Sequence, residues 1–202
     1  MIINQEIGCA DFPCSDVKHD HYILPQIDID PLEIKAALIS EAAPDAKNYY
    51  YAAGKPLFEQ TTVLAFQDAG ADIEGIKDLL QMGIYMTTAV KCQKIDYGIK
   101  AGTINECALI LEKELSQFPN LKVLLLMGDA AIKAINAISR KAGQGRVIPA
   151  GSTYKIRHQK YYFGEIRVFP SYLQAGPSFF IEKSKRRMIA EDLKNSLEII
   201  KN

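Results

Sequence analysis

The stretch Leu121-Lys122-Val123-Leu124-Leu125-Leu126-Met127-Gly128-Asp129-Ala130-Ala131-Ile132 decides the fold class. A short apolar run stops at a glycine, and a helical pattern starts at once and continues to Lys141. Runs of this length bounded by turn residues suit strands buried on both faces, the habit of parallel sheets. Asp129 then reads as the helix N-cap. Working outward, comparable runs at Ala36 to Ser40, Ile84 to Val90 and Glu165 to Phe169 predict three more strands. Helical patterns cover Phe58 to Ala69, Ile73 to Met82, Thr103 to Phe118 and about Phe180 to Ile200. The alternation predicts an α/β fold, a three-layer α/β/α sandwich with a central four-stranded parallel sheet and right-handed crossovers. The alternating segment Gly151 to Phe163 reads as a small inserted hairpin.

With 202 residues and 48% hydrophobic content, the chain can bury one sizeable core, so residues 1–202 read as a single domain. Its apolar runs are too short to cross a bilayer, and Met1 to Cys9 lacks a basic start followed by an apolar core. Those features predict a cytoplasmic protein, a monomer without a membrane partner. The formal net charge is zero, but it is unevenly spread. Residues 140–187 carry eleven Lys or Arg against two acids, whereas 1–139 carry eleven against nineteen. The basic third either binds phosphates or is a solvated face.

All four cysteines fall into two pairs. Cys9 and Cys14 lie in an N-terminal arm, residues 1–30, while Cys92 follows the second predicted strand and Cys107 falls within the next helix. In a reducing compartment, four thiolates suit tetrahedral zinc or an iron–sulfur cluster, and zinc pairs are usually tighter than the Cys92 to Cys107 gap. Cys92 and Cys107 also fit as buried small apolar residues. The arm is rich in Asp, His and Pro and offers little for packing, so a metal bridge is expected to fasten it to the domain. His19 and His21 read as solvated loop residues.

In open parallel sheets, ligands bind beyond the C-terminal strand ends. After the first strand, Ser40-Glu41-Ala42-Ala43-Pro44-Asp45 presents the carboxylates Glu41 and Asp45 as catalytic candidates and contains no glycine, which argues against a nucleotide phosphate loop. Tyr49, Tyr50 and Tyr51 precede Gly54-Lys55-Pro56-Leu57-Phe58, and a ring at Phe58 can stack on a base or serve as a helix-start core residue. The second strand ends in Thr87-Thr88-Ala89-Val90-Lys91-Cys92, and the fourth leads into Pro170-Ser171-Tyr172-Leu173-Gln174.

These segments resemble the uracil-DNA glycosylase superfamily, most closely its iron–sulfur branch, family 4, over nearly the whole chain. Ser40 to Pro44 is similar to that branch's Gly-Glu-Ala-Pro-Gly turn, Gly54 to Phe58 to its Gly-x-Pro-Phe segment with one extra residue, and Thr88 to Cys92 to its Asn-Val-Val-Lys-Cys pattern. The resemblance implies a 4Fe-4S cluster on Cys9, Cys14, Cys92 and Cys107, with zinc as the alternative. It also implies a DNA partner and base-excision repair by hydrolysis of the N-glycosidic bond of uracil or another deaminated base.

Glu41 would orient water, and Phe58, Thr88, Ser171, Tyr172, Leu173 and Gln174 would meet the base, the last three as wedge candidates. Lys155, Arg157, Lys160, Lys183, Lys185, Arg186 and Arg187 would hold phosphates. Three positions depart from the family's pattern: Thr88 replaces its Asn, Leu173 its His, and four residues rather than two separate the first cysteines. A DNA-binding homologue impaired in catalysis is therefore a second expectation, and a small-molecule redox enzyme on a generic α/β sheet a third.

Overall fold

The computed structural model describes residues 1–201. Seven strands and seven helices alternate along it, with short 3-10 turns at Pro31–Glu33 and Ala46–Asn48. The strands are β1 (Val17–Tyr22), β2 (Ala36–Ala42), β3 (Ile84–Val90), β4 (Cys92–Lys94), β5 (Val123–Met127), β6 (Tyr161–Phe163) and β7 (Ile166–Ser171). The helices are α1 (Leu57–Asp68), α2 (Ile76–Gln81), α3 (Ala101–Leu115), α4 (Asp129–Lys141), α5 (Thr153–Ile156), α6 (Ser178–Ile181) and α7 (Lys183–Ile200).

The central sheet has five strands in the order β3-β2-β5-β7-β6, where the sequence predicts four. The four expected strands are parallel, and β6 pairs antiparallel with β7 through Tyr161–Val168 and Phe163–Ile166. The predicted inserted hairpin is thus replaced by α5 and β6, with β7 as the second half of the hairpin. Gly151 to Phe163 is too short to close a hairpin on itself once Thr153 to Ile156 turns helical. A second, two-stranded sheet pairs β1 with β4 and carries the leading arm onto the end of β3.

Although the strands read as unbroken apolar runs, their side chains divide between two cores with period two. Ala37, Ile39, Leu124 and Leu126 face the α3/α4 side. Ala36, Leu38, Leu125 and Met127 face the side covered by α1, α2 and α7. On α3, Ile104, Cys107, Ala108 and Leu111 form the buried face, at the spacing of one helical stripe. The cap of α4 is Gly128 (φ +104°, ψ 172°), with Asp129 the first helical residue, so the helix starts one place earlier than the sequence suggests. That backbone region is essentially open only to glycine.

The arm is anchored by more than the reading of its composition allows. Ile3 and Asn4 are buried, the Ile3 N–H donates to Ile27 O, and Asn4 Nδ2 donates to Pro25 O and to the Tyr85 hydroxyl. Packing and hydrogen bonds therefore help to hold residues 1–30, which corrects the expectation that the arm offers little for packing. No described helix is long and apolar enough to cross a membrane.

Candidate active site and thiol cavity

Beyond the C-terminal ends of β2 and β5 lies a cavity of about 830 Å³ lined by Glu41, Pro44, Phe58, Lys94, Tyr97, Asp129 and Leu173, among others. Strand geometry places Glu41 here, one residue before the end of β2. Its Oε1 accepts a hydrogen bond of 3.1 Å from the Asp129 N–H. Gly128 clears room for it: a Cβ at that position would stand 2.7 Å from Glu41 Cγ and 2.8 Å from Oε1. The carboxylate is thus held at the positive end of α4, with its second oxygen left for another partner.

Phe58 opens the first turn of α1, and its ring meets Tyr50 edge-on at 5.3 Å. Thr88 lies beside Ser40 in the β2/β3 register, fully buried, and its hydroxyl has no hydrogen-bond partner among the described residues. Leu173 is half-buried and contributes an apolar wall.

Other sequence candidates are engaged elsewhere. Asp45 lies outside the cavity lining and caps the 3-10 turn, accepting from the Lys47 and Asn48 N–H groups and from Asn48 Nδ2. The Asn48 side chain, aided by those backbone donors, holds its carboxyl below the usual value despite some desolvation. Gln174 is fully buried, its amide donating to Tyr50, Thr62 and Ser40. Ser171 donates to Asp192, which also receives Arg157. Burial pushes the Asp192 carboxyl up against the opposing pull of Arg157 and Ser171. Tyr172 lies half-buried beneath Lys185 Nζ, 5.6 Å from the ring centroid.

The basic candidates scatter. Arg157 is 4% exposed and spends its guanidinium on Asp192, Glu191 and Met188 O, so it offers nothing to a phosphate. Lys160 lines a groove with Lys35 and Lys122 at the N-terminal strand ends, opposite Glu41. Arg186 pairs with Asp68 and Lys185 with Glu182, whereas Lys155, Lys183 and Arg187 are exposed.

The four cysteines come together. Cys9, Cys14, Cys92 and Cys107 line one cavity of about 190 Å³, bordered by Phe12, His19 and Tyr22. Burial, followed by the neighbouring Cys107, Cys9 and Cys14, pushes the Cys92 thiol up to about 12. Burial likewise raises Cys107 against the opposing Lys91 N–H, and Cys14 against a hydrogen bond with Thr103. Between the first pair of thiols, Phe12 holds φ +44°, a conformation costly for a bulky residue, and its ring packs on His19 and Tyr22 at 5.2 Å. Among the described residues, no three His, Cys, Asp or Glu side chains form a group suited to one metal ion.

A buried network lies next to Cys92. Lys91, next to Cys92, is paired with Glu114 with both side chains wholly inaccessible, and its Nζ also donates to Thr87 Oγ1 and Thr88 O. Tyr85 and Thr87 donate to the other Glu114 oxygen. The pair leaves no signal in the sequence, because Glu114 stands 23 residues away in an ordinary helical pattern.

The family model described as "Uracil DNA glycosylase superfamily" matches residues 28–194. No curated protein matches the chain.

Proposed function

The chain belongs to the uracil DNA glycosylase superfamily, and from that premise we propose that it excises uracil or another deaminated base from DNA in the Glu41 cavity. The observation that carries this reading is the placement of Glu41, lining a cavity roomy enough to admit a base and fixed by the Asp129 N–H at the start of α4. A nucleotide turned out of the helix would bring its base against Phe58 and its C1′ toward Glu41, whose free oxygen orients the attacking water. The N-glycosidic bond breaks, the base departs with the electron pair, and the water oxygen bonds C1′ as its proton passes to the Glu41 carboxylate and, through solvent, to the departed base.

The departing base needs a donor. Leu173 offers none, and the hydroxyl of Ser171 and the amide of Gln174 are already committed to Asp192 and to the Ser40–Tyr50–Thr62 group. Losing such a donor typically costs about a hundredfold or more in rate. This favours slow excision of uracil, or a lesion whose base leaves more readily. The same feature supports the second reading, a DNA-binding homologue without excision.

The thiol cavity fits an iron–sulfur cluster of the 4Fe-4S type. What supports this reading is that all four cysteines line one cavity, as a polynuclear centre requires, with a single zinc ion as the alternative. When bound, the cluster would cross-link the arm to β4 and α3. Cys9, Cys14, Cys92 and Cys107 would hold it, and Phe12 and Tyr22 would exclude water.

Two measurements test the reading. Single- and double-stranded oligonucleotides carrying uracil, hypoxanthine or xanthine are treated with the protein and then with alkali; strand breaks at the lesion support excision. Salt-sensitive DNA binding without breaks selects the impaired homologue, and absence of both rejects the functional reading. Anaerobically purified protein is expected to show broad visible absorption and roughly four iron atoms per chain. Stoichiometric zinc would refute the cluster.

A further inference from the structure

The segment between β4 and α3 stands out at the mouth of the Glu41 cavity. Tyr97 lines that cavity and is 98% exposed, and Ile95 on the same loop is 53% exposed. Single exposed apolar residues are ordinary, but this pair projects from a loop clamped at both ends by one residue. The Ile95 N–H donates to Asp16 O, and the Lys100 N–H donates to Asp16 Oδ2 at 2.7 Å. Thr103 closes the clamp by bonding the other Asp16 oxygen. At the tip, Lys94 Nζ donates to Tyr97 O and stands 5.4 Å from the Tyr97 ring centroid. The fold has thus already met the entropic cost of ordering a loop whose one aromatic side chain is almost wholly exposed, as a preorganised contact for a partner requires.

We propose that Tyr97, supported by Ile95, is the wedge that enters the DNA duplex and fills the gap left when a base turns into the cavity. The inference rests on the excision reading, and it moves the wedge away from Tyr172, Leu173 and Gln174, which are half-buried or buried. An unstacked gap exposes two base faces, and an aromatic ring is the side chain that covers them best. Asp16 lies two residues beyond Cys14 in the segment that wraps the thiol cavity. The arm therefore aims the wedge, which gives the thiol cavity a bearing on DNA recognition without contact with DNA.

The test compares binding of the full chain to a duplex holding one stable abasic-site analogue with binding to the same sequence as a single strand. Tyr97→Ala is expected to weaken duplex binding by roughly 5- to 100-fold and leave single-strand binding within about twofold. Tyr97→Phe keeps the ring and is expected to bind as the wild type. Tyr162→Ala, exposed at the far end of the sheet, is the control and is expected to change neither. Equal duplex binding by Tyr97→Ala and wild type, or equal weakening of duplex and single strand, overturns the wedge while leaving DNA binding in place. A wild-type protein that binds neither DNA overturns the functional reading and the wedge together.

Discussion

Replacing Gly128 by alanine separates the geometry of the candidate site from the stability of the fold. The added carbon would lie 2.7 Å from Glu41 Cγ and 2.8 Å from its Oε1, where carbon atoms normally stand about 3.5–4.0 Å apart. Glu41 must therefore retreat by roughly 1 Å, and its 3.1 Å bond from the Asp129 N–H is lost. A displacement of that size at a reacting group costs about a hundredfold in rate. The backbone at φ +104° adds strain of about 1–3 kcal/mol, which for a chain of this length lowers Tm by roughly 2–12 °C. Gly143→Ala at the other end of α4 is the matched control, since it too has positive φ (+75°) but its added carbon meets nothing within 4 Å. Single-turnover excision and thermal denaturation are measured on both. Destabilisation of both proteins with loss of excision only in Gly128→Ala is expected. A Gly128→Ala protein that excises at the wild-type rate would refute the role assigned to the Glu41–Asp129 contact.

Leu173→His supplies the missing donor at the cavity wall, and uracil excision is expected to rise about a hundredfold; no gain in a folded variant would show that base departure does not limit the reaction. Lys91→Met strands the Glu114 carboxylate in the core and is expected to cost about 3–5 kcal/mol in urea denaturation, with much of the loss recovered in Lys91→Met/Glu114→Gln. A single-variant cost below about 1 kcal/mol would mean that water reaches the pair. Cys107→Ser is expected to abolish iron binding and visible absorption while the sheet still folds, because Ile3 and Asn4 anchor the arm independently; retained iron would remove Cys107 from the ligand set.

The parallel sheet was legible because β2, β3, β5 and β7 are apolar on both faces, a pattern that does not depend on distant residues. The edge strand β6 was not, since three residues carry no period of their own and form a strand only by pairing with β7. Glu41, Phe58 and Leu173 could be placed at one cavity because topology alone brings strand ends and following loops together. The buried partners of Arg157 and Gln174 were not legible, because Asp192 and Ser40 lie 35 and 134 residues away. A charge in a basic run looks available until a buried acid from another helix meets it. The loop carrying Tyr97 gave no sequence signal, as its rigidity comes from Asp16, 84 residues before Lys100.

The most direct test of the central claim is release of free base by wild type and Glu41→Gln from the same lesion-bearing oligonucleotide, quantified by mass spectrometry under single-turnover conditions. Glu41→Gln keeps an oxygen for the Asp129 N–H but loses the carboxylate that orients water. The account expects release by the wild type and a rate about 10²–10⁴-fold lower in the variant, with DNA affinity unchanged. Equal rates in the two proteins would contradict it.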